Sequence, residues 1–233
     1  MIETKAYLQG GKLGDFIHSL CVCKFNYDFF NYKADLYISN IGDTFEKGLE
    51  FTYNELKPIL EKQEWLNSFQ IYTNQLIDVD LSRFRQSHFL YTTNWIEIYF
   101  KEFFDGMTPP TEYKWIDLPK DSISNTLMIN RSLKPATPKI IDLYRTILDD
   151  NSDLEKVFIC FDESQYQNFP FKNECRLLKV ETLYDFFYNI NNCKLFLGNQ
   201  SGPMAWATSM NVPRIIELLA RIDNIHYIKD TEY

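Results

Sequence analysis

Residues 194–207 of this chain read KLFLGNQSGPMAWA. An apolar run typical of a β-strand stops at Gly198, a small polar cluster follows, and a helix is predicted over residues 201–210. In an open parallel sheet, such a junction places backbone N–H groups and the positive end of a helix at the carboxyl edge of the sheet, where anions bind. Ser201 adds a hydroxyl there, and Gly202 allows a ligand to approach the backbone closely.

A second junction of the same kind lies near the start, where residues 10–20 read GGKLGDFIHSL. A strand is predicted at 6–8 and a helix at 15–30. The loop lacks both the Gly-Lys-Ser/Thr ending of a P-loop and the G-x-G-x-x-G dinucleotide fingerprint. Asp15 at the helix start fits either a helix cap or a general base. One turn later, His18 fits either a structural residue or one that assists an acceptor hydroxyl or a phosphate.

Composition restricts the class of protein. The chain has 233 residues, 45% of them hydrophobic, which is enough for a sizeable core, and a net charge of −8 argues against an extended nucleic-acid-binding face. No apolar run reaches the ~18 residues that a membrane span needs, and the first residues do not resemble a signal peptide. The five cysteines are expected to be buried free thiols. We therefore expect a cytoplasmic protein.

The predicted elements alternate between strands and helices, which indicates an α/β fold with mostly parallel sheets. Strands are predicted at 6–8, 34–39, 69–72, 87–91, 126–129, 156–160, 176–180, 194–197 and 214–217. Helices are predicted at 15–30, 55–64, 95–104, 137–149, 182–189 and 201–210, and residues 71–87 read as irregular. Prolines and a polar segment at 109–125 predict a boundary between two domains, 1–117 and 118–233.

Further polar residues follow predicted strands of the second half. Asn130, Arg131 and Lys134 follow the strand at 126–129, and Glu217 ends the last strand. At the carboxyl edge of a sheet the two cations can bind a diphosphate, although a solvated loop is the alternative. The carboxylate of Glu217 fits a contact to a ribose hydroxyl or an ordinary exposed position.

Other classes of site are not indicated. Residues 198–202 lack the spacing of a G-x-S-x-G nucleophile elbow, and the three histidines are widely separated. No cysteine or histidine pattern has the spacing of metal ligands. We therefore expect chemistry that uses neither a metal nor a cofactor.

The two junctions together resemble the ADP-heptose:lipopolysaccharide heptosyltransferases of glycosyltransferase family 9. Gly14 to Leu20 match the early Gly-Asp-x-Ile-His-x-Leu segment of that family. Residues 200–205 lie over its Asp-Ser/Thr-Gly-x-x-His motif, with Gln200 and Ala205 in place of the aspartate and the histidine. The loop of residues 130–132 is similar to the family loop that faces the donor phosphates.

The resemblance implies a GT-B fold, in which two Rossmann-like halves face a cleft. It implies that the C-terminal half binds a nucleotide-diphosphate sugar, with Ser201 and Gly202 at the diphosphate. Gly14 and Gln200 are also expected among the residues that bind the donor. Asp15, with His18 close by, would deprotonate an acceptor hydroxyl in an inverting, metal-independent transfer. Because Gln200 and Ala205 depart from the motif, the donor or the activity is expected to differ.

Three functions remain open at this point. The first is a glycosyltransferase whose acceptor is a glycan, a lipid-linked sugar, a protein side chain or a modified nucleobase. The second is a module that binds a nucleotide or nucleotide-sugar without turnover. The third is another Rossmann-type enzyme, such as a nucleotide hydrolase, in which Asp15 activates water.

Overall fold

The computed structural model describes residues 2–90, 93–110, 112–132, 138–217 and 231–232. These residues form two separate parallel β-sheets with helices between successive strands. The predicted α/β class with parallel sheets is therefore confirmed.

The first sheet is built from the N-terminal part of the chain. Its strands, in spatial order β3-β2-β1-β4, are β1 (Glu3–Gly10), β2 (Tyr32–Ser39), β3 (Leu66–Ile71) and β4 (Val79–Asp80). All pairings are parallel, with Gly10 opposite Ser39 at the carboxyl ends of β1 and β2. The loops that follow β1 and β2 therefore lie at one edge of the sheet.

The second sheet has six strands in the order β10-β9-β8-β5-β6-β7. They are β5 (Ser124–Asn130), β6 (Glu155–Cys160), β7 (Arg176–Lys179), β8 (Cys193–Asn199), β9 (Arg214–Glu217) and β10 (Thr231–Glu232). Asn130 lies opposite Gly198 where β5 and β8 end. A Cβ atom on Gly198 would lie 2.9 Å from the carbonyl oxygen of Asn130, so only glycine fits at this position.

Seven α-helices connect the described strands. They are α1 (Leu13–Phe30), α2 (Leu49–Leu60), α3 (Trp95–Phe103), α4 (Pro138–Asp150), α5 (Glu163–Gln167), α6 (Leu183–Asn191) and α7 (Gly202–Ser209). Short 3-10 helices occupy Leu81–Gln86 and Lys172–Glu174.

Helix α1 is buried on more than one face. The spacing of Phe16, Leu20, Cys23 and Tyr27 predicts one buried face, yet every residue from Phe16 to Cys23 is buried. The reason is that α1 packs against its own sheet and also against α3 and α7. A helix that is enclosed on several sides is apolar around most of its circumference.

The segment that connects the two sheets is fixed by Trp115. Its indole N–H donates to the carbonyl of Ile17 at 2.8 Å, and its own carbonyl accepts from the indole of Trp65 at 2.9 Å. Its backbone N–H donates to Ser209 on α7 at 3.0 Å. The two sheets lie on either side of residue 118 in the sequence, but one buried core contains side chains from both halves.

Two local predictions are wrong. Residues 81–86 form a 3-10 helix capped by Asp80, and 88–90 form a turn, where a strand was expected at 87–91; residue 91 itself lies outside the described residues. Helix α5 has no predicted counterpart and begins where Asp162 accepts from the backbone N–H of Ser164 at 2.8 Å. In both places a carboxylate cap starts a short helix without a long apolar period.

The structure bears on two features that were considered from the composition, the cysteines and the membrane spans. All five cysteines are buried free thiols, as expected. Among the described residues, no helix has the length and apolar character that crossing a membrane requires.

Candidate functional site

The N-termini of α1 and α7 meet between the two sheets. Lys12 is the N-cap residue of α1, and Ser201 is that of α7. A Cβ atom on Gly14 would lie 3.7 Å from the Cα of Gly202, so the first turns of the two helices are close neighbours. The positive ends of two helix dipoles therefore converge on one place, which favours an anion.

A cavity of about 550 Å³ opens beside these two helix ends. From the first half it is lined by residues that include Lys12, Gly14, Lys47, Phe51 and Glu55. From the second half it is lined by residues that include Asn130, Ser132, Phe161, Gln165, Ser201 and Gly202. Its volume and its mixture of apolar and polar walls are typical of small-molecule sites.

Four of the predicted site residues line this cavity, namely Gly14, Asn130, Ser201 and Gly202. The amide nitrogen of Asn130 donates to the carbonyl of Ile159 at 2.8 Å, which fixes the side chain at the end of β5. The hydroxyl of Ser201 donates to the carbonyl of Asn199 at 3.0 Å and does not cap its own helix.

Asn199 is a positioning residue that the sequence analysis missed. Its side chain is fully buried, and its amide oxygen accepts from both the backbone N–H and the hydroxyl of Ser132 at 3.2 Å. Its amide nitrogen donates back to the same hydroxyl at 2.8 Å. The loop after β5 is thereby joined to the loop after β8, and Ser132 is held in the cavity wall.

The expected ligand contacts of Arg131 and Glu217 are corrected by the structure. The guanidinium of Arg131 donates to both carboxylate oxygens of Glu217, at 2.8 and 2.9 Å, and Tyr144 donates its hydroxyl to the same carboxylate at 3.0 Å. Both residues are buried, and neither lines the cavity. Charges that were expected to contact a diphosphate and a ribose bind each other instead. Lys134 lies outside the described residues.

Asp15 lies in the first turn of α1, directly after the cavity residue Gly14. Its carboxylate accepts from Arg85 at 2.9 Å, and the same nitrogen of Arg85 donates to the carbonyl of Gly10 at 3.0 Å. Burial raises the pKa of Asp15, while the charge and the hydrogen bond of Arg85 act in the opposite direction. The carboxylate is therefore held in one orientation by a residue that the sequence analysis did not single out.

His18 is not placed at the cavity. It is 1% exposed, and its ring stacks on Trp95 at 5.8 Å between centroids, with Trp115 at 6.4 Å. Burial and the nearby charge of Arg214 lower its pKa to about 3. The structure does not support the expected catalytic role of His18, because its ring is buried against Trp95 and Trp115 and does not line the cavity.

The two departures from the family motif also lie away from the cavity lining. Gln200 is buried at 8% exposure, and Ala205 is fully buried in the core between the halves. Neither side chain is therefore placed where it would line the cavity.

Several residues that line the cavity belong to no recognisable sequence motif, and the sequence analysis therefore did not identify them. Glu55 on α2 accepts from the backbone N–H of Leu183 at 2.7 Å, so a carboxylate of the first half caps a helix of the second. The ammonium of Lys47 lies over two rings, 5.0 Å from the centroid of Phe51 and 4.7 Å from that of Phe161. The only sequence signal was that Phe161 directly follows a predicted strand end.

Within the described ranges, no three histidine, cysteine, aspartate or glutamate side chains are grouped so that they could hold a metal ion. The positive groups at the cavity are the helix ends and the lysines.

No family model matches this sequence, and no curated protein matches it in a sequence comparison. Solved structures do match. The glycosyl transferase family 9 protein from Veillonella parvula DSM 2008 aligns over 100% of this chain and 87% of its own, with a TM-score of 0.60 and 11% identity.

Two Escherichia coli heptosyltransferases are also similar. ADP-heptose lipopolysaccharide heptosyltransferase II aligns over 99% of this chain and 90% of its own, with a TM-score of 0.57 and 12% identity. Heptosyltransferase WaaC, solved with ADP-2-deoxy-2-fluoro heptose, aligns over 95% and 92%, with a TM-score of 0.55 and 9% identity. The resemblance drawn from the two junctions is thus confirmed at the level of the fold: this chain has the GT-B architecture of the family 9 heptosyltransferases.

Proposed function

We propose that this protein transfers a sugar from a nucleotide-diphosphate sugar to an acceptor hydroxyl. The observation that carries the proposal is the meeting of the α1 and α7 N-termini at one cavity of about 550 Å³. Solved proteins of the same fold bind ADP or an ADP-heptose analogue, which supports a donor of this class.

The diphosphate would bind beside Gly14, Ser201 and Gly202. Both glycines line the cavity, and because neither carries a Cβ atom the two helix ends lie close together there. Backbone N–H groups and two helix dipoles stabilise phosphate charge without a metal. Since this charge increases when the sugar leaves, the same groups would stabilise the departing nucleoside diphosphate more than the bound donor.

Asp15 would act as the general base from the first half. In an inverting transfer, the acceptor hydroxyl gives its proton to the Asp15 carboxylate, and the oxygen forms a bond to the anomeric carbon. On the opposite face, the bond between that carbon and the diphosphate oxygen breaks, and the electron pair leaves with the nucleoside diphosphate. The base must be ionised to do this, and Arg85 favours its ionised form.

A thermal-shift screen with nucleoside diphosphates and nucleotide-sugars tests the donor. A ligand that binds only the folded chain raises the melting temperature, so we expect a shift with at least one diphosphate nucleotide. The absence of a shift across the panel would contradict the proposal.

Hydrolysis or transfer of the donor found in that screen tests the base. Asp15→Asn should lower turnover about 100-fold or more while donor binding is retained. Asp28→Asn is the matched control, because Asp28 lies at the other end of α1 and pairs with Lys24. Donor binding without any turnover by the wild-type protein would favour the alternative of a non-catalytic nucleotide-sugar module, which the departures at Gln200 and Ala205 also allow. Turnover to free sugar at the same rate with every acceptor class would favour a hydrolase.

A further inference from the structure

Lys47 is an exposed residue that lines the cavity, on the loop between β2 and α2. Its ammonium lies 5.0 Å from the ring centroid of Phe51 in the first half and 4.7 Å from that of Phe161 in the second. Among the described residues it forms no salt bridge, although Glu46 and Glu55 line the same cavity. The cation of Lys47 is therefore held between one aromatic ring from each half, and within the described residues no carboxylate forms a salt bridge with it.

The other cations near the site are less suited to a diphosphate. Arg131 is buried and bound to Glu217 through two hydrogen bonds. Lys12 lines the cavity, but its ammonium lies 3.8 Å from the carboxylate of Asp43, whereas Lys47, which is also exposed, has no such pair among the described residues. Of the cations described at this cavity, Lys47 has the charge most available to a ligand.

We propose that the ammonium of Lys47 binds the diphosphate of the donor, so that a residue of the first half completes the donor site of the second. The inference rests on the proposed function, because it assumes a diphosphate in this cavity. A lysine has a long flexible stem, and charge-assisted hydrogen bonds to phosphate are stronger than contacts to aromatic faces at an exposed site. Lys47 moves from the two rings to the phosphate oxygens when the donor binds.

The test measures the binding of ADP, UDP and GDP by titration calorimetry to the wild type and to Lys47→Met, Lys47→Arg and Lys62→Met. Lys62 is the matched control, because its ammonium lies 5.0 Å from the ring of Tyr184 on α6, outside the cavity lining. For the diphosphate that binds, we expect Lys47→Met to weaken affinity at least ~10-fold, since a hydrogen bond to a charged group is lost. Lys47→Arg and Lys62→Met should bind close to the wild type.

A second measurement shows whether Lys47 contributes to binding through its charge or through the packing of its side chain. Raising the salt concentration should weaken wild-type binding more steeply than that of Lys47→Met, because the ion contact is screened. Urea unfolding of each variant checks that the fold is intact. Equal affinity of Lys47→Met and the wild type, or equal losses in Lys47→Met and Lys62→Met, would overturn this inference and leave the proposed function standing. If the wild type binds none of the three diphosphates, both are overturned.

Discussion

Arg131 and Glu217 form a buried ion pair with two parallel hydrogen bonds, at 2.8 and 2.9 Å, between the ends of β5 and β9. Each of them ends or follows a strand of the second sheet, at the edge where ligands of such sheets bind. The pair fixes the start of the loop that carries Ser132 into the cavity wall, and neither of its members lines the cavity. Its role is structural support of the site.

Breaking this ion pair should make the protein easier to unfold. We expect Arg131→Met or Glu217→Gln to lower the free energy of unfolding by about 3–5 kcal/mol, because a buried charge loses its partner. Urea denaturation monitored by circular dichroism measures this. The control is Arg145→Met, which breaks the exposed pair of Arg145 with Glu174 and should have a much smaller effect. Similar losses in the buried and exposed variants would contradict the assignment.

Arg85 should set the pH dependence of the reaction. Arg85→Met removes the charge and the hydrogen bond that oppose the upward shift of the Asp15 pKa, so the pKa of Asp15 should rise further. A base with a higher pKa is protonated up to a higher pH, and the acidic limb of the pH–rate profile should move toward higher pH. Rates of donor turnover between pH 4 and 9 measure this, and in Arg85→Lys, which keeps the positive charge, the acidic limb should move less than in Arg85→Met. An unchanged acidic limb in Arg85→Met would show that Arg85 does not act through Asp15.

His18 should make the fold sensitive to acid. Its pKa falls from 6.5 to about 3 on folding, so the unfolded chain binds the proton more readily. The stabilisation is fully present above pH 6.5 and is lost as the pH falls toward 3. Over that range the loss amounts to at most about 5 kcal/mol. His18→Phe keeps an aromatic ring without the titration, and its free energy of unfolding should fall less steeply between pH 6.5 and 4. Parallel curves for the two proteins would rule out the buried neutral imidazole.

Gly202→Ala should weaken the binding of a nucleoside diphosphate without lowering the stability of the fold. A Cβ atom there would meet Leu13 at 3.8 Å, which is ordinary contact, and alanine favours a helix by up to about 1 kcal/mol over glycine. The free energy of unfolding should therefore stay equal or increase. The methyl group would occupy the space between the two helix ends, so we expect the affinity for a nucleoside diphosphate to fall about 10-fold or more. Undiminished affinity in a well-folded Gly202→Ala protein would place the diphosphate elsewhere.

Local patterns in the sequence predicted the parts of the site that local structure creates. The alternation of strands and helices and the two glycine-containing junctions are properties of neighbouring residues. The structure brings Gly14, Asn130, Ser201 and Gly202 together at one cavity, and their part in binding a ligand stays a prediction. The 3-10 helix at residues 81–86 lies in a segment that was predicted to be irregular, and it was missed because it begins at a carboxylate cap, Asp80, and has no long apolar period.

Pairings across long stretches of chain were not predictable from one sequence. Arg131 and Glu217 are 86 residues apart, and Asp15 and Arg85 are 70 apart, so only the tertiary structure shows that each charge has a partner. The same holds for Lys47, which reaches Phe161 across the cavity. The motif residues were predicted to face ligands, and the packing of the two halves determines which of them line the cavity.

The most direct test of the central claim is a calorimetric comparison of nucleoside diphosphates with their nucleosides on the wild-type protein. ADP, UDP and GDP are titrated beside adenosine, uridine and guanosine at two salt concentrations. If the two helix ends bind a diphosphate, at least one diphosphate should bind ~10-fold or more tightly than its own nucleoside, and higher salt should reduce the difference. Binding of a nucleoside as tightly as its diphosphate, or no binding of any diphosphate, would contradict the account.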